Sequence, residues 1–218
     1  MSEPISVDVW SDIACPWCYI GKRRFEEGLR RFGDPDAVHL TYHSFELAPD
    51  TPTDFAGSEV DFLADYKGIP AEQVQQMLTQ VAGLAESEGL TYDFDALKHT
   101  NTLKAHELLH FAKSKDAQLN LAERLFAAYF SEGRHLGSID ELADLAADVG
   151  LDRDEAAEAL RSGEFADAVA ADIAQARAYG ISGVPFYVID GRYGVSGAQD
   201  PDVFADALRT VATEKSDA

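Results

Sequence analysis

Cys15 and Cys18 are the only cysteines in the 218-residue chain. They stand three apart in Cys15-Pro16-Trp17-Cys18, after a strand-like run and at the start of an amphipathic stretch. Residues three apart on a helix share a face, so the two sulfurs can bond without distorting the backbone. Cys15 falls at the helix N-terminus, where free N–H groups and the helix dipole stabilise a thiolate. Pro16 occupies the first turn, where its missing N–H costs nothing. The predicted chemistry is reversible dithiol exchange: Cys15 attacks a sulfur, a mixed disulfide forms, and Cys18, one turn further in, resolves it. Pro16 and Trp17 set how many amides reach the thiolate, and Trp17 offers a flat apolar contact to a peptide or small thiol. Lys22, Arg23 and Arg24 read either as a positive patch supporting the thiolate or as a solvated helix face. Asp8 and Asp12 are candidate proton acceptors for Cys18, or else capping or exposed carboxylates.

Two metal readings compete with this chemistry. His106-Glu107-Leu108-Leu109-His110 has the H-E-x-x-H form of a zinc protease helix, but no third ligand follows at the expected spacing. His106 therefore reads better as a partly exposed helical residue facing the dithiol across a cleft. A structural zinc site would need two ligands beyond the cysteines, and His39 and His43 share one face of the neighbouring strand. Neither pattern outweighs the dithiol, so no metal and no resident cofactor is expected.

Thirty-nine acidic against eighteen basic side chains give a formal net charge of −21. That balance excludes nucleic acid and anionic membrane as partners, since both demand a basic face. The acids are spread along the chain, a pattern either of a halophilic, high-salt cytoplasm or of an ordinary acidic protein. Apolar residues make up 46% of the chain, enough for a core without disulfide staples. The start, Met1-Ser2-Glu3-Pro4, lacks the basic and apolar regions of a signal peptide, and no run approaches a membrane span. A cytoplasmic location is expected, where a lone C-x-x-C is more often redox-active or metal-binding than structural.

The elements that must position the cysteines follow from periodicity. A strand at 5–10, a helix ending near Gly33 and a strand at 38–45 form a parallel pair with a right-handed crossover. Helical segments then run at 59–67, 71–88, 100–114, 117–131, 138–149, 153–162 and 165–179. Ser138 with Glu141, and Asp152 with Glu155, have capping-box spacing. Strands at 186–189 and 193–196 flank an Asp190-Gly191 hairpin turn, and a last helix opens at Asp200-Pro201 and runs through Val211. The fold class is thus α/β: β-α-β, a helical block, then β-β-α. Val184-Pro185, just before a strand, suits a cis peptide beside the cysteines.

On these motifs the chain resembles the thioredoxin superfamily, and more narrowly the DsbA-like thiol:disulfide oxidoreductases of the FrnE subgroup. The resemblance is carried by Ser11-Asp12 with Cys15-Pro16-Trp17-Cys18-Tyr19-Ile20-Gly21, Phe45-Glu46-Leu47-Ala48-Pro49, Asn101-Thr102 with Ala105-His106, Gly183-Val184-Pro185-Phe186 and Val195-Ser196-Gly197-Ala198-Gln199. It implies a thioredoxin fold built from residues 1–57 and 180–218, interrupted by an all-helical insertion at 58–179. It also implies catalytic Cys15 and Cys18, substrate binding by Pro16, Trp17, Val184 and Pro185, and support from Asp12, Asn101 and His106. Expected partners are protein or small-molecule thiols and disulfides, with glutathione a candidate redox partner and a homodimer compatible. Related glutathione-dependent isomerases and kappa-type transferases use a serine or similar donor where Cys15 stands, so the two cysteines count against that alternative. A peptide-binding chaperone working in the cleft is the non-catalytic alternative. Some relatives carry a second cysteine pair near the C-terminus, which this chain lacks.

Overall fold

Strand β1 (Ile5–Ser11) is central because it is apolar on both faces: Ile5, Val7 and Val9 point one way, and Trp10 is also buried. In the computed structural model, which describes residues 3–216, β1 lies between a parallel β2 (Val38–Ser44) and an antiparallel β3 (Phe186–Ile189). β4 (Tyr193–Ser196) pairs antiparallel with β3, giving the order β2-β1-β3-β4. The hairpin turn places both Asp190 and Gly191 at positive φ, the backbone region that Asp and Gly tolerate best.

Helix α1 (Pro16–Phe32) makes the crossover from β1 to β2 and stops at Gly33, which is left-handed. Two glycines let it sit close to its neighbours. A Cβ on Gly21 would lie 2.9 Å from Pro185 and from the Tyr187 hydroxyl, and one on Gly28 would lie 2.7 Å from Phe204. Gly21 therefore draws the cysteine helix onto the proline loop, and Gly28 draws it onto α9 (Pro201–Ser216).

Between β2 and β3 run seven helices: α2 (Glu59–Lys67), α3 (Ala71–Ser87), α4 (Leu103–Lys113), α5 (Gln118–Phe130), α6 (Ile139–Asp148), α7 (Arg153–Ser162) and α8 (Ala166–Ala178). The fold is a thioredoxin fold with a large helical insertion. One buried cluster runs unbroken from β1 and α1 through α4 to α7, so the insertion shares its core with the sheet. Among the described residues, no helix is long and apolar enough to cross a membrane.

Two local expectations need correction. Helix α9 continues past Val211 to Ser216, because Glu214 accepts from the Tyr193 hydroxyl and Lys215 pairs with Asp190 at 2.6 Å. Polar contacts with the hairpin replace the apolar period that ends at Val211. The box at Ser138 is only half formed: its hydroxyl accepts from Glu141 N, while the Glu141 carboxylate turns to Arg134 and to His135 N. A reciprocal box instead opens α2, between Ser58 and Asp61.

Candidate active site

The end of β1 and the start of α1 set the two thiols side by side. Cys15 is the N-cap residue of α1, Pro16 is its first helical residue, and no side chain caps this end. Both thiols are free. Cys18, 2% exposed, faces the core. Its thiol is pushed well above the ordinary range by burial, and further by its hydrogen bond to Cys15, with Ser11 and the Asp12 backbone opposing. Cys15, 4% exposed, lies 3.5 Å from the Val184 carbonyl, toward which its thiol points. The Val184–Pro185 bond is cis. The Pro185 carbonyl accepts from Gly197 N at 2.8 Å, which ties this loop to the segment after β4.

Cys15 borders a cavity of about 230 Å³ between the thiol end and helices α2 and α3. Cys15, Pro16 and Trp17 line one side; Phe62, Leu63 and Val81 line the other. Trp17 is 39% exposed at this cavity. The Tyr66 hydroxyl donates to the Leu47 carbonyl at 2.9 Å, joining α2 to the loop after β2.

Asp12 is buried beneath this loop. Its Oδ2 accepts from Leu47 N at 2.7 Å and its Oδ1 from Ala14 N at 3.2 Å. Burial alone would raise its pKa, but His106 and the two amides outweigh that and lower it. Asp12 thus pins the cysteine loop and the Leu47 loop together. His106 stands 3.4 Å from Asp12 Oδ1. It is fully buried rather than partly exposed, and neither ring nitrogen has a hydrogen-bond partner. Asn101 is not brought to the thiols. Its amide donates to the Pro49 carbonyl and its oxygen accepts from Leu103 N, so it fastens the far end of the Leu47 loop to α4.

The other sequence candidates lie elsewhere. Lys22 and Arg23 both pair with Glu26 and Glu123, and Arg24 pairs with Glu88 at 2.7 Å. The basic patch is neutralised by carboxylates rather than turned to Cys15. Glu123 feels this: burial raises its pKa, but Arg23 and Lys22 bring it down to about 2. Asp8 bonds His43 at 2.8 Å, so it serves that histidine rather than Cys18.

Both zinc readings fail on the same grounds. His43 is held between Asp8 and Asp172, His110 bonds Ser44 and Asp172, and Glu107 pairs with Lys104. His39 is exposed. Among the described residues, no three His, Cys, Asp or Glu side chains are grouped to hold a metal ion. Asp172 and the cavity pair Glu59–His99 were not marked by any sequence motif. Capping and helix spacing account for both acids equally well.

Comparison with known proteins places the chain by family and fold. The family model described as the DSBA-like thioredoxin domain matches residues 6–209. The uncharacterized protein YwbO of Bacillus subtilis is 31% identical over 206 residues, covering 94% of this chain and 96% of that protein. The crystal structure of a probable DsbA oxidoreductase from Streptomyces coelicolor is 38% identical, with a TM-score of 0.90 over 96% of this chain and 91% of the other. The cytosolic disulfide reductase DsbM from Pseudomonas aeruginosa, solved with GSH, shares the fold at 18% identity, with a TM-score of 0.68 over 95% and 98% of the two chains.

Proposed function

The chain belongs to the DSBA-like thioredoxin-domain family, and from that premise we propose that it is a thiol:disulfide oxidoreductase in which Cys15 attacks and Cys18 resolves. The observation that carries this reading is the asymmetry of two touching thiols. Cys15 sits at the helix N-cap position and borders the cavity, while burial keeps Cys18 protonated in the core.

In the reducing direction, the Cys15 thiolate attacks one sulfur of a substrate disulfide. The S–S bond breaks, the leaving sulfur departs as a thiolate that takes up a proton, and a Cys15–substrate mixed disulfide remains. Cys18 then loses its proton and attacks Cys15 Sγ. The products are an enzyme disulfide and two substrate thiols, with two electrons passed from the dithiol to the substrate. Oxidation is the same sequence reversed. A thiol protein or a small thiol such as glutathione resets the pair. Val184 and Pro185 present backbone beside Cys15 to the substrate chain, and Pro16 and Trp17 form the near wall.

Reduced protein mixed with an excess of a disulfide substrate provides the test. The native chain is expected to turn over and Cys15→Ser to fall to the uncatalysed rate; equal turnover by the two would overturn the reading. Cys18→Ser is expected to accumulate the mixed disulfide, seen as an added mass on the intact protein.

A further inference from the structure

The cavity beside Cys15 has a floor that thiol exchange does not require. Glu59 and His99, with side chains 8% and 6% exposed, are joined Oε2 to Nδ1 at 2.7 Å, and both line the cavity. Phe62 stacks on His99 with ring centroids 3.4 Å apart, and Phe55 meets the same ring edge-on, so the imidazole is held in place. The bond uses one carboxylate oxygen and one ring nitrogen. The Tyr129 hydroxyl also stands 3.5 Å from His99 Nδ1, and among the described residues no hydrogen bond reaches Glu59 Oε1 or His99 Nε2. The walls above them are apolar: Phe62, Leu63, Met77, Leu78 and Val81. Neither Glu59 Oε1 nor His99 Nε2 is among the fully buried polar atoms left unpaired, so their spare capacity faces open space, where a ligand that brings a donor can take it up.

We infer that this cavity is a specificity pocket for a neutral aromatic group bearing a hydrogen-bond donor at its far end, with a phenol as the simplest case, carried on the substrate whose sulfur meets Cys15. The aromatic and thioether walls favour a ring. Charge argues for neutrality: Glu59 and Asp12 line the cavity, Lys67 is exposed, and the net charge of −21 repels anions. A buried cation would find a carboxylate already shared with His99. Cys15 and the Glu59–His99 pair border the same space, so one substrate can reach both. The link to turnover rests on the oxidoreductase reading; occupancy by the ring does not.

The first test therefore uses sulfur-free probes. In an NMR titration, N-acetyl-tyrosinamide is expected to shift the methyl signals of Leu63, Met77 and Val81 and to bind about tenfold more tightly than N-acetyl-phenylalaninamide. Glu59→Gln, which weakens the acceptor, is expected to shrink that ratio severalfold. Val81→Trp, which fills the cavity without touching the pair, is expected to abolish binding of both. Equal binding of the two probes, or no binding to the native protein, would overturn the inference. So would an unchanged ratio in a folded Glu59→Gln protein.

Exchange assays then separate the two sources of a phenol. The disulfide of N-acetyl-Cys-Tyr-amide and bis(4-hydroxyphenethyl) disulfide are each compared with a counterpart lacking the hydroxyl. A rate gain confined to the first supports a tyrosine beside a peptide cysteine, and one confined to the second supports a small phenolic thiol. No gain with either overturns the substrate link. Retained binding of the tyrosine probe with no exchange of any disulfide would instead remove the oxidoreductase reading and leave the pocket standing.

Discussion

Asp8 on β1 and Asp12 just beyond it stand four residues apart, and each meets a buried or half-buried histidine, yet the two pairings are built to opposite standards. At Asp8, His43 is satisfied at both ring nitrogens, by Asp8 at 2.8 Å and by Asp172 at 2.7 Å, and it stacks on Trp10. Asp172 also accepts from Ser44 N and meets His110, while its backbone carbonyl accepts from the Trp10 indole. At Asp12, His106 is deeper still, but both its ring nitrogens lack hydrogen-bond partners and the carboxylate stands 3.4 Å away. The first grouping is a closed network that fastens α4 and α8 to β1 and β2. The second lies under the cysteine loop, where Asp12 is committed to the amides of Ala14 and Leu47. Buried polar groups left short are a cost that native proteins confine to few places. Here the shortfall sits beneath the cysteine pair, and the structural tie is complete.

Breaking the closed network should therefore cost stability, and breaking the open one should cost function. The largest effect is expected for Asp172→Asn, which leaves a protonated His43 short of its main counter-charge: about 3–5 kcal/mol, the scale for removing one partner of a buried pair. Urea unfolding measures it, and thiol exchange per folded molecule should remain native. A large loss of exchange with unchanged stability would reverse the roles of the two groupings.

Titration breaks the same network without mutation. Burial alone would lower the His43 pKa, but Asp172 and Asp8 raise it to about 9 against an unfolded value near 6.5. The protonated histidine stabilises the fold fully below pH 6.5, and that stability is lost as pH rises through about 9. The expected loss is about 3 kcal/mol, read from unfolding free energies between pH 6 and pH 10. His43→Gln should flatten the alkaline slope; an undiminished slope in that variant would assign it to another group.

The smallest change in stability is expected for Asp12→Asn. An amide keeps one acceptor oxygen but presents a donor where the second stood, so about 1–3 kcal/mol should be lost. Because Asp12 spans the cysteine and Leu47 loops, exchange should slow severalfold per folded molecule, with Cys15 alkylation slowing in parallel. Native alkylation and exchange rates would show that the loops hold their positions without it.

How much of this was legible depends on sequence distance. Helix α1, its proline at the first turn and its stop at Gly33 follow from neighbours within a few residues. So does the Asp190-Gly191 turn. The helical block was legible as helices because each has its own apolar period. Asp8, His43 and His110 each carried a separate chemical suggestion, as a proton acceptor and as zinc ligands. None of those survives, because Asp172 gathers all three residues into one network.

The sequence by itself determined the dithiol, its place at a helix start, the order of strands and helices, and an excess of acid that sets the partners it repels. These are consequences of local spacing and of composition, which do not depend on how the chain closes. Tertiary structure alone decided which acid meets which histidine, that the Lys22–Arg24 patch is spent on carboxylates, and that Glu59 and His99 floor the cavity at Cys15. Those partners lie 35, 129, 100 and 40 residues apart. A charge or imidazole carries no local pattern that names a distant partner. Only the packing of the helical block against the sheet brings them within reach.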